Sequence, residues 1–288
     1  MEFTKMHGCG NDYIYVNCME KMIENPEETS ILVSDRHFGI GSDGLILICP
    51  SQKADFRMKM YNADGSEGNM CGNGVRCIAK YVYEFGLTKE TTISLETKSG
   101  IKYLYLTVEN GKVVSVKVNM GAPILKPAAI PVTVGEDDCI DRPITIEGKE
   151  YHMTCVSMGN PHAVLFVEDT QSLDLEKIGP KFEHAKEFPE RVNTEFVQIL
   201  NDHEINMRVW ERGSGETFAC GTGTCASVVA CVLNKKTKNQ VLVHLLGGDL
   251  EIDYDEEADT VWMTGPASVV CSGEVDIEQL KANRNARI

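Results

Sequence analysis

Several features that would place this chain in a specialised class are missing from its sequence. The 11 cysteines contain no CxxC pair, which argues against a zinc ribbon. Their odd number, in a chain of 288 residues, does not suit the small secreted scaffolds that disulfides hold together. We therefore expect reduced thiols that are mostly buried, and no metal site.

Long apolar runs and positive charge are also scarce. Thr217–Asn234 is uncharged, but its first half is rich in Gly, Thr and Cys, so a membrane-spanning helix is not expected. The residues after Met1 do not form an apolar segment, so a secretory signal is not expected either. Lys and Arg number 28 against 43 Asp and Glu, a formal net charge of −15. This balance disfavours nucleic acid and anionic membranes as partners. The composition fits a cytoplasmic protein that acts on a small molecule.

Short β-branched segments separated by turn residues predict a mainly antiparallel sheet or barrel with isolated helices, an α+β fold. The hairpin turns are expected at Asn110-Gly111, Glu147-Gly148 and Gly247-Gly248. Asn119–Pro131 holds three prolines and is the best boundary. The chain is thus divided into domains 1–118 and 119–265, with the tail 266–288 expected to pack on the first.

Two helices stand out by their apolar periodicity, and both follow a Cys-Gly-x-Gly element. The first element is Cys71-Gly72-Asn73-Gly74 and the second is Cys220-Gly221-Thr222-Gly223. A Gly-Ser pair precedes each at nearly the same offset. Such an internal repeat predicts two pseudo-equivalent domains, each with one cysteine at a helix N-terminus.

Each element is suited to holding an anion. Glycines let successive N–H groups point one way, and a helix start carries unpaired donors and partial positive charge. A carboxylate or phosphate binds well there. The same field is expected to lower the pKa of the adjacent cysteine from about 8.5 toward neutrality.

The two elements together suggest a specific reaction. If the domains face each other, two thiols flank one ligand, and one can remove a proton while the other delivers one to the opposite face. The hydrogen on an amino-acid α-carbon is a very weak acid, so its removal needs a poised base and stabilisation of the developing charge. A thiolate and thiol pair would invert this centre without a cofactor.

Several sequence blocks resemble those of diaminopimelate epimerases. They occur in the family's order from residue 3 to about residue 223: Lys5–Asp12, Asp35–Gly41, Tyr61–Ser66, Met158–His162, Trp210–Gly213 and Ala219–Gly223. The resemblance implies two pseudo-symmetric domains, each a barrel-like sheet around a central helix, with the active site in the cleft between them. It also implies interconversion of LL- and meso-diaminopimelate, for lysine and peptidoglycan precursor synthesis, without a cofactor. Family members are often homodimers.

The same resemblance assigns roles to individual residues. It makes Cys71 and Cys220 the acid and base, with the α-carboxylate held by backbone N–H groups of the residues that follow: Gly72, Asn73, Gly221 and Thr222. Glu211 would contact the reacting amino group, and His162 would help set protonation. The distal centre would be held by a polar set comprising Asn11, Asn62, Asn160, Asn193 and Arg212. Where some members carry glutamine this chain has Gly44, so no side-chain contact is expected there.

Other interpretations of the residues remain open. A proline or hydroxyproline racemase, or a phenazine-type isomerase, shares the fold, although a small ring has no distal amino-acid end for the asparagine set. Two facing cysteines also fit a dithiol redox protein. A binding module would need the anion sites but not both sulfurs. The Gly39–Gly44 stretch matches a dinucleotide pattern, but a strand instead of a helix is expected after it.

Overall fold

The computed structural model describes residues 1–285 of the chain. Two compact units are present. The first comprises Met1–Val118 together with the segment from Pro266 onward, and the second is Asn119–Gly265. The last residues of the predicted tail, 286–288, lie outside the described part of the chain.

Strands dominate both units. In chain order they are β1 (Glu2–Gly8), β2 (Asn11–Asn17), β3 (Gly44–Cys49), β4 (Phe56–Asn62), β5 (Glu67–Gly68), β6 (Thr92–Thr97), β7 (Gly100–Glu109), β8 (Lys112–Gly121), β9 (Arg142–Ile146), β10 (Lys149–Ser157), β11 (Pro161–Phe166), β12 (Asn193–Asn201), β13 (Glu204–Glu211), β14 (Gly215–Thr217), β15 (Gln240–Leu245), β16 (Gly248–Asp255), β17 (Thr260–Gly265) and β18 (Ser268–Glu274). The α-helices are α1 (Pro26–Ser34), α2 (Gly72–Glu84), α3 (Leu175–Glu183), α4 (Gly221–Leu233) and α5 (Ile277–Asn285). A short 3₁₀ turn covers Pro127–Ala129.

The first unit is a curved sheet in the order β18-β1-β2-β3-β4-β6-β7-β8. The pairs β2/β3 and β4/β6 are parallel, and the other neighbours are antiparallel. Strand β5 pairs with the end of β4. The C-terminal segment supplies β18, which pairs with β1. The side-chain hydroxyl oxygens of Thr4 on β1 and Ser272 on β18 are 2.9 Å apart.

Helix α2 is the central helix of the first unit. Val75, Ile78, Ala79 and Val82 have no exposed surface. The helix packs against β1, β2 and β7. These four residues have the i, i+3, i+4, i+7 spacing of an apolar helix face, which is the periodicity that predicted the helix, and this apolar stripe anchors the helix inside the sheet.

The second unit repeats the first. Its sheet has the order β9-β10-β11-β12-β13-β15-β16-β17, again with two parallel pairs, β11/β12 and β13/β15, and with β14 beside the end of β13. Helix α4 packs against six of these strands. The predicted α+β architecture, with a sheet around a central helix in each half, is confirmed.

This repeat makes positions in the two units equivalent. A Cβ built on Gly74 in α2 would approach Cδ1 of Ile46 on β3, at 2.7 Å. A Cβ built on the matching Gly223 in α4 would collide with the carboxylate of Glu195 on β12. Ile46 and Glu195 therefore occupy the same place in their units, as do the last residues of β4 and β13, Asn62 and Glu211.

The predicted turns and helices differ in accuracy. Asn110 and Gly111 have φ of 49° and 75°, and Glu147 and Gly148 have 50° and 79°, the left-handed values of tight hairpin turns. The periodicity found only α2 and α4 and missed α1, α3 and α5. The missed helices have nine residues each, and α3 contains Pro180. No helix within residues 1–285 has both the length and the apolarity to cross a bilayer.

Candidate active site

Cys71 lies at the start of the central helix of the first unit, as predicted. It is the N-cap of α2, and its sulfur accepts a hydrogen bond from the N–H of Gly74 at 3.4 Å. The thiol donates to Oδ1 of Asn11 at 3.2 Å, and Nδ2 of Asn73 reaches the same oxygen at 3.3 Å. Asn11 is itself held by its Nδ2 donating to Asp43 at 2.7 Å. Three predicted site residues therefore meet here.

A buried arginine that the sequence analysis missed supports this element. Arg76 has no exposed surface and donates to Oδ1 of Asn73 at 2.9 Å. It also donates to the carbonyl oxygens of Gly72, at 3.3 Å, and Pro266, at 3.2 Å. Arg76 thus fixes the amide of Asn73 and brings a positive charge to the first turns of α2. Its sequence signal was an arginine between two apolar residues, Val75 and Cys77, near the start of the helix.

Two further positions lie at strand ends of the first unit. Asn62 ends β4, and its Nδ2 donates to Oγ of Ser66 at 3.0 Å. Gly44 begins β3, where a Cβ would collide with the carbonyl oxygen of Tyr61 and lie 2.8 Å from the Tyr13 ring. The backbone leaves no room for a side chain at Gly44. Glycine at this position is therefore required by the packing of this chain.

Cys220 takes the corresponding place in the second unit. It is the N-cap of α4, with its sulfur 3.5 Å from Oγ1 of Thr222. Glu211, at the end of β13, accepts a hydrogen bond from Oγ1 of Thr217, and its charge acts on the thiol of Cys220. Burial nevertheless raises the pKa of the Glu211 carboxyl above its usual value. The second unit therefore places a carboxyl group directly beside its sulfur.

The expected lowering of the cysteine pKa is wrong for Cys220. Burial, and then the charges of Glu211 and Glu195, raise the pKa of this thiol well above its usual value. A helix N-terminus contributes about 0.3–1 kcal/mol. Burial can move a pKa by up to about 3–5 units. The helix field is the smaller effect here, so Cys220 is a thiol at neutral pH.

His162 is fully buried at the start of β11, beside Cys220. Its Nδ1 lies 2.7 Å from Oε1 of Glu195, and its Nε2 lies 3.1 Å from Oδ1 of Asn160. Atoms of His162, Glu195 and Cys220 lie within 4.8 Å of one another, the one grouping of metal-ligand types found within residues 1–285. The hydrogen bond between His162 and Glu195 accounts for this grouping, and we assign no metal to it.

The remaining predicted residues are held by backbone groups. Nδ2 of Asn193 donates to the carbonyl oxygen of Pro161 at 2.9 Å, and its Oδ1 accepts from the N–H of Arg212 at 3.0 Å. Arg212 is exposed and donates from its guanidinium to the carbonyl oxygen of Glu190 at 3.0 Å. Gly221 is buried in the first turn of α4. Asn193 thus joins the strand that carries His162 to the loop that carries Arg212.

Comparisons with known proteins agree on one family. The family model for diaminopimelate epimerase matches residues 3–126 and 154–270. The diaminopimelate epimerase of Agathobacter rectalis is 64% identical over 284 residues, covering 96% of this chain and 100% of the relative. That of Acetivibrio thermocellus is 57% identical, with 97% and 100% covered. The chain belongs to the diaminopimelate epimerase family.

Solved structures at lower identity show how widely this fold is shared. A hydroxyproline epimerase from Agrobacterium vitis matches with a TM-score of 0.69 and 16% identity, covering 96% of this chain and 90% of that one. A phenazine biosynthesis protein from Bacillus anthracis matches with a TM-score of 0.71 and 17% identity, covering 96% and 99%. The diaminopimelate epimerase family therefore shares its fold with proteins whose names indicate different substrates.

Proposed function

We propose that the protein is an isomerase that converts LL-2,6-diaminopimelate to meso-diaminopimelate without a cofactor, by a two-base mechanism. The observation that carries this proposal is a cysteine at the N-cap of each central helix, in a chain that belongs to the diaminopimelate epimerase family. We further infer that the two units are the two epimerase domains, that the enzyme is a cytoplasmic homodimer, and that it serves lysine and peptidoglycan precursor synthesis.

In the proposed reaction one sulfur takes the α-proton as a thiolate and the other gives a proton to the opposite face as a thiol. Cys220, whose thiol form is favoured by burial and two carboxylates, is the donor at the start of one direction. Cys71 is then the base. After one turnover Cys71 carries the proton and Cys220 is the thiolate, so the reverse reaction uses the opposite roles.

The negative charge that develops at the α-carbon needs stabilisation. The first N–H groups of each central helix, at Gly72 and Asn73 and at Gly221 and Thr222, are suited to hold the α-carboxylate. A carboxylate held by such donors delocalises the charge more readily. Glu211 is suited to contact the amino group of the reacting centre.

The distal amino-acid end of the substrate calls for polar groups with little net charge. Asn11, Asn62 and Asn160 offer both donors and acceptors, and the exposed guanidinium of Arg212 can hold a carboxylate. We assign Asn193 a supporting role, because both ends of its amide already bind backbone groups. It would hold the loop of Arg212 in place.

Proton NMR in deuterium oxide tests this function. Wild-type protein, with a thiol reductant and no added cofactor, should exchange the α-proton at one centre of LL-diaminopimelate and form the meso isomer. Cys71→Ala and Cys220→Ala should each abolish this conversion. Near-normal epimerisation by either variant would contradict the two-thiol mechanism.

A substrate panel separates the related activities. Proline and hydroxyproline should not be converted, because neither has a distal amino-acid end for the asparagine set. Conversion of either imino acid, without conversion of diaminopimelate, would make the protein a racemase of small rings. A thiol-dependent reduction with no α-proton exchange would instead indicate a dithiol redox protein.

A further inference from the structure

The geometry points to Glu195 as a positioning residue of the proposed reaction, whose carboxylate keeps a proton on Nδ1 of His162 and fixes the ring beside Cys220. The inference rests on the proposed function for its catalytic consequence. Its structural part, the pairing of carboxylate and imidazole, stands on the contacts alone.

The first argument is the burial of an ionisable pair. Glu195 and His162 have no exposed surface, and their Oε1 and Nδ1 atoms are 2.7 Å apart. Within the described residues the second carboxylate oxygen of Glu195, Oε2, is buried without a hydrogen-bond partner. Burying a carboxylate is costly unless a strong donor binds it. A ring nitrogen that carries its proton is the donor that this site offers.

The second argument comes from the internal repeat. The place of Glu195 is taken in the first unit by Ile46, which contacts the matching glycine of α2. The same fold therefore accommodates an apolar side chain at this position in the first unit. A charged side chain is not needed to build the sheet or to seat the helix, so its presence in the second unit calls for another role.

The third argument is the set of titratable groups around Glu195. They come from four elements packed together: Cys155 on β10, His162 on β11, Glu211 at the end of β13, and Cys220 at the start of α4. Glu195 contributes charge to both thiols, which favours their protonated forms. It thus helps to hold Cys220 as the proton donor while it orients the histidine.

The consequence for His162 is a fixed arrangement of its two nitrogens. An imidazole whose Nδ1–H donates to a carboxylate is held in one tautomer and one orientation. Its Nε2 then carries no proton and lies 3.1 Å from the side-chain amide of Asn160, a proposed substrate-binding residue, so this amide must turn its NH₂ group toward the ring to form a hydrogen bond. Loss of Glu195 would free the ring to exchange tautomers and to rotate.

The direct test is ¹⁵N NMR of the histidines in the wild-type protein, with the His162 signals assigned by comparison with His162→Gln. We expect a proton on Nδ1 of His162 at neutral pH. A proton on Nε2 alone would overturn the inference, and this result needs no variant of Glu195.

The second test measures Glu195→Gln, which keeps the shape and removes the charge, and Glu195→Ile, which copies the first unit. Both should fold, lower kcat about 10- to 100-fold and change KM less than about threefold. The His162 spectrum should lose its single Nδ1–H form. Glu216→Gln is the control, because it removes one charge from an ion pair with Arg208 in the same unit.

These outcomes separate the two proposals. If either Glu195 variant keeps the wild-type kcat and histidine spectrum, Glu195 is not a positioning residue, while the epimerase function stands. If the wild-type protein does not convert diaminopimelate, the proposed function fails, and the histidine spectra still decide whether Glu195 holds the proton on His162.

Discussion

At the scale of residues, the two sulfurs differ although their backbones are alike. The thiol of Cys71 meets the carbonyl oxygen of an asparagine side chain, whereas Cys220 has two carboxyl groups nearby. The equivalent positions of the first unit hold Asn62 and Ile46 instead of Glu211 and Glu195. Burial, and then these two carboxyl groups, raise the pKa of the Cys220 thiol well above its usual value, so the repeat surrounds its two thiols with different groups.

The charge of Glu211 can be tested on Cys220 itself. Glu211→Gln removes a negative charge that raises the thiol's pKa, so the pKa of Cys220 should fall, on the order of one unit. Iodoacetamide should then alkylate Cys220 at lower pH, as read by mass spectrometry of its peptide over a pH series. Glu204→Gln, at the other end of β13, is the matched control. An unchanged midpoint in Glu211→Gln would mean that Glu211 does not raise the pKa of Cys220.

Asn193 gives a second prediction at this scale. Asn193→Ala should reduce the free energy of unfolding by about 1–3 kcal/mol, because it leaves buried backbone groups without their partner. Urea unfolding measures this loss. Asn201→Ala, at the exposed end of the same strand, should cost less. A variant of Asn193 with full stability and a raised KM would show instead that the amide contacts substrate directly.

At the scale of elements, the sequence predicted those helices and turns that depend only on residues close to one another in the chain. The apolar spacing of α2 and α4 and the turn pairs Asn110-Gly111 and Glu147-Gly148 were sufficient, because each depends on neighbouring residues in the chain. The turn predicted at Gly247-Gly248 lies one residue earlier, since Gly248 already pairs with Leu245. Helices α1 and α3 were missed although each has a start signal, Pro26 and Asp174 respectively. Their nine residues give too few turns for a periodic pattern to stand out from the strands around them.

The sequence predicted the part of the candidate site that is contiguous in the chain, but it did not predict the residues that only folding brings to the site. The two cysteines and the glycines after them are contiguous in sequence, and the structure places both at helix starts. Glu195 was missed because its partner His162 lies on another strand, and Arg76 was missed because its burial and its contact with Pro266 arise only in the folded unit. The lowered thiol pKa was expected for a related reason, since a helix start is visible in the sequence but burial is not.

Two buried cysteines in the central helices make the free energy of unfolding depend on pH. Burial raises the pKa of Cys77 in α2 and of Cys231 in α4 to about 12. In the unfolded chain each thiol ionises near its ordinary value of about 8.5. Burial of these neutral thiols therefore stabilises the folded state fully below about pH 8.5. This contribution to the free energy of unfolding is lost as the pH rises toward 12.

Replacing both thiols should weaken this dependence. In Cys77→Ala/Cys231→Ala the slope of unfolding free energy against pH, between about 9.5 and 11, should fall by roughly 1.4 kcal/mol per pH unit for each thiol removed. Urea unfolding at several pH values gives the slope. Cys271→Ala, an exposed cysteine of β18, should keep the wild-type slope. An equal slope in the double variant would mean that other groups cause the alkaline loss.

At the scale of the whole molecule, the first unit is built from both ends of the chain. Strand β18 pairs with β1, and the N-terminal amino group donates to the carbonyl oxygen of Val275 at 2.7 Å. Arg76 reaches back to the carbonyl oxygen of Pro266 at 3.2 Å. The second unit, by contrast, is one continuous stretch of chain.

A chain that ends at Gly265 should therefore be unable to fold its first unit stably. It leaves β1 as an open edge and removes an acceptor of the buried Arg76, so we expect aggregation and loss of activity. Size-exclusion chromatography and circular dichroism measure this. A chain that ends at Asn285 keeps β18 and α5 and should behave as wild type. A monomeric, folded protein ending at Gly265 would show that β18 is dispensable.

The return of β18 to β1 also sets an order on folding during translation. The ribosome delivers β1 before the second unit, but the neighbour of β1 along one edge consists of residues 268–274 and emerges only after the second unit. The second unit has all its strands by residue 265. The unit that is begun first is thus the unit that is finished last, and one edge of β1 stays unpaired until the second unit has been made. An unpaired strand edge is prone to aggregate, so residues that protect the edge of β1 act while the chain is being made, before the native first unit exists.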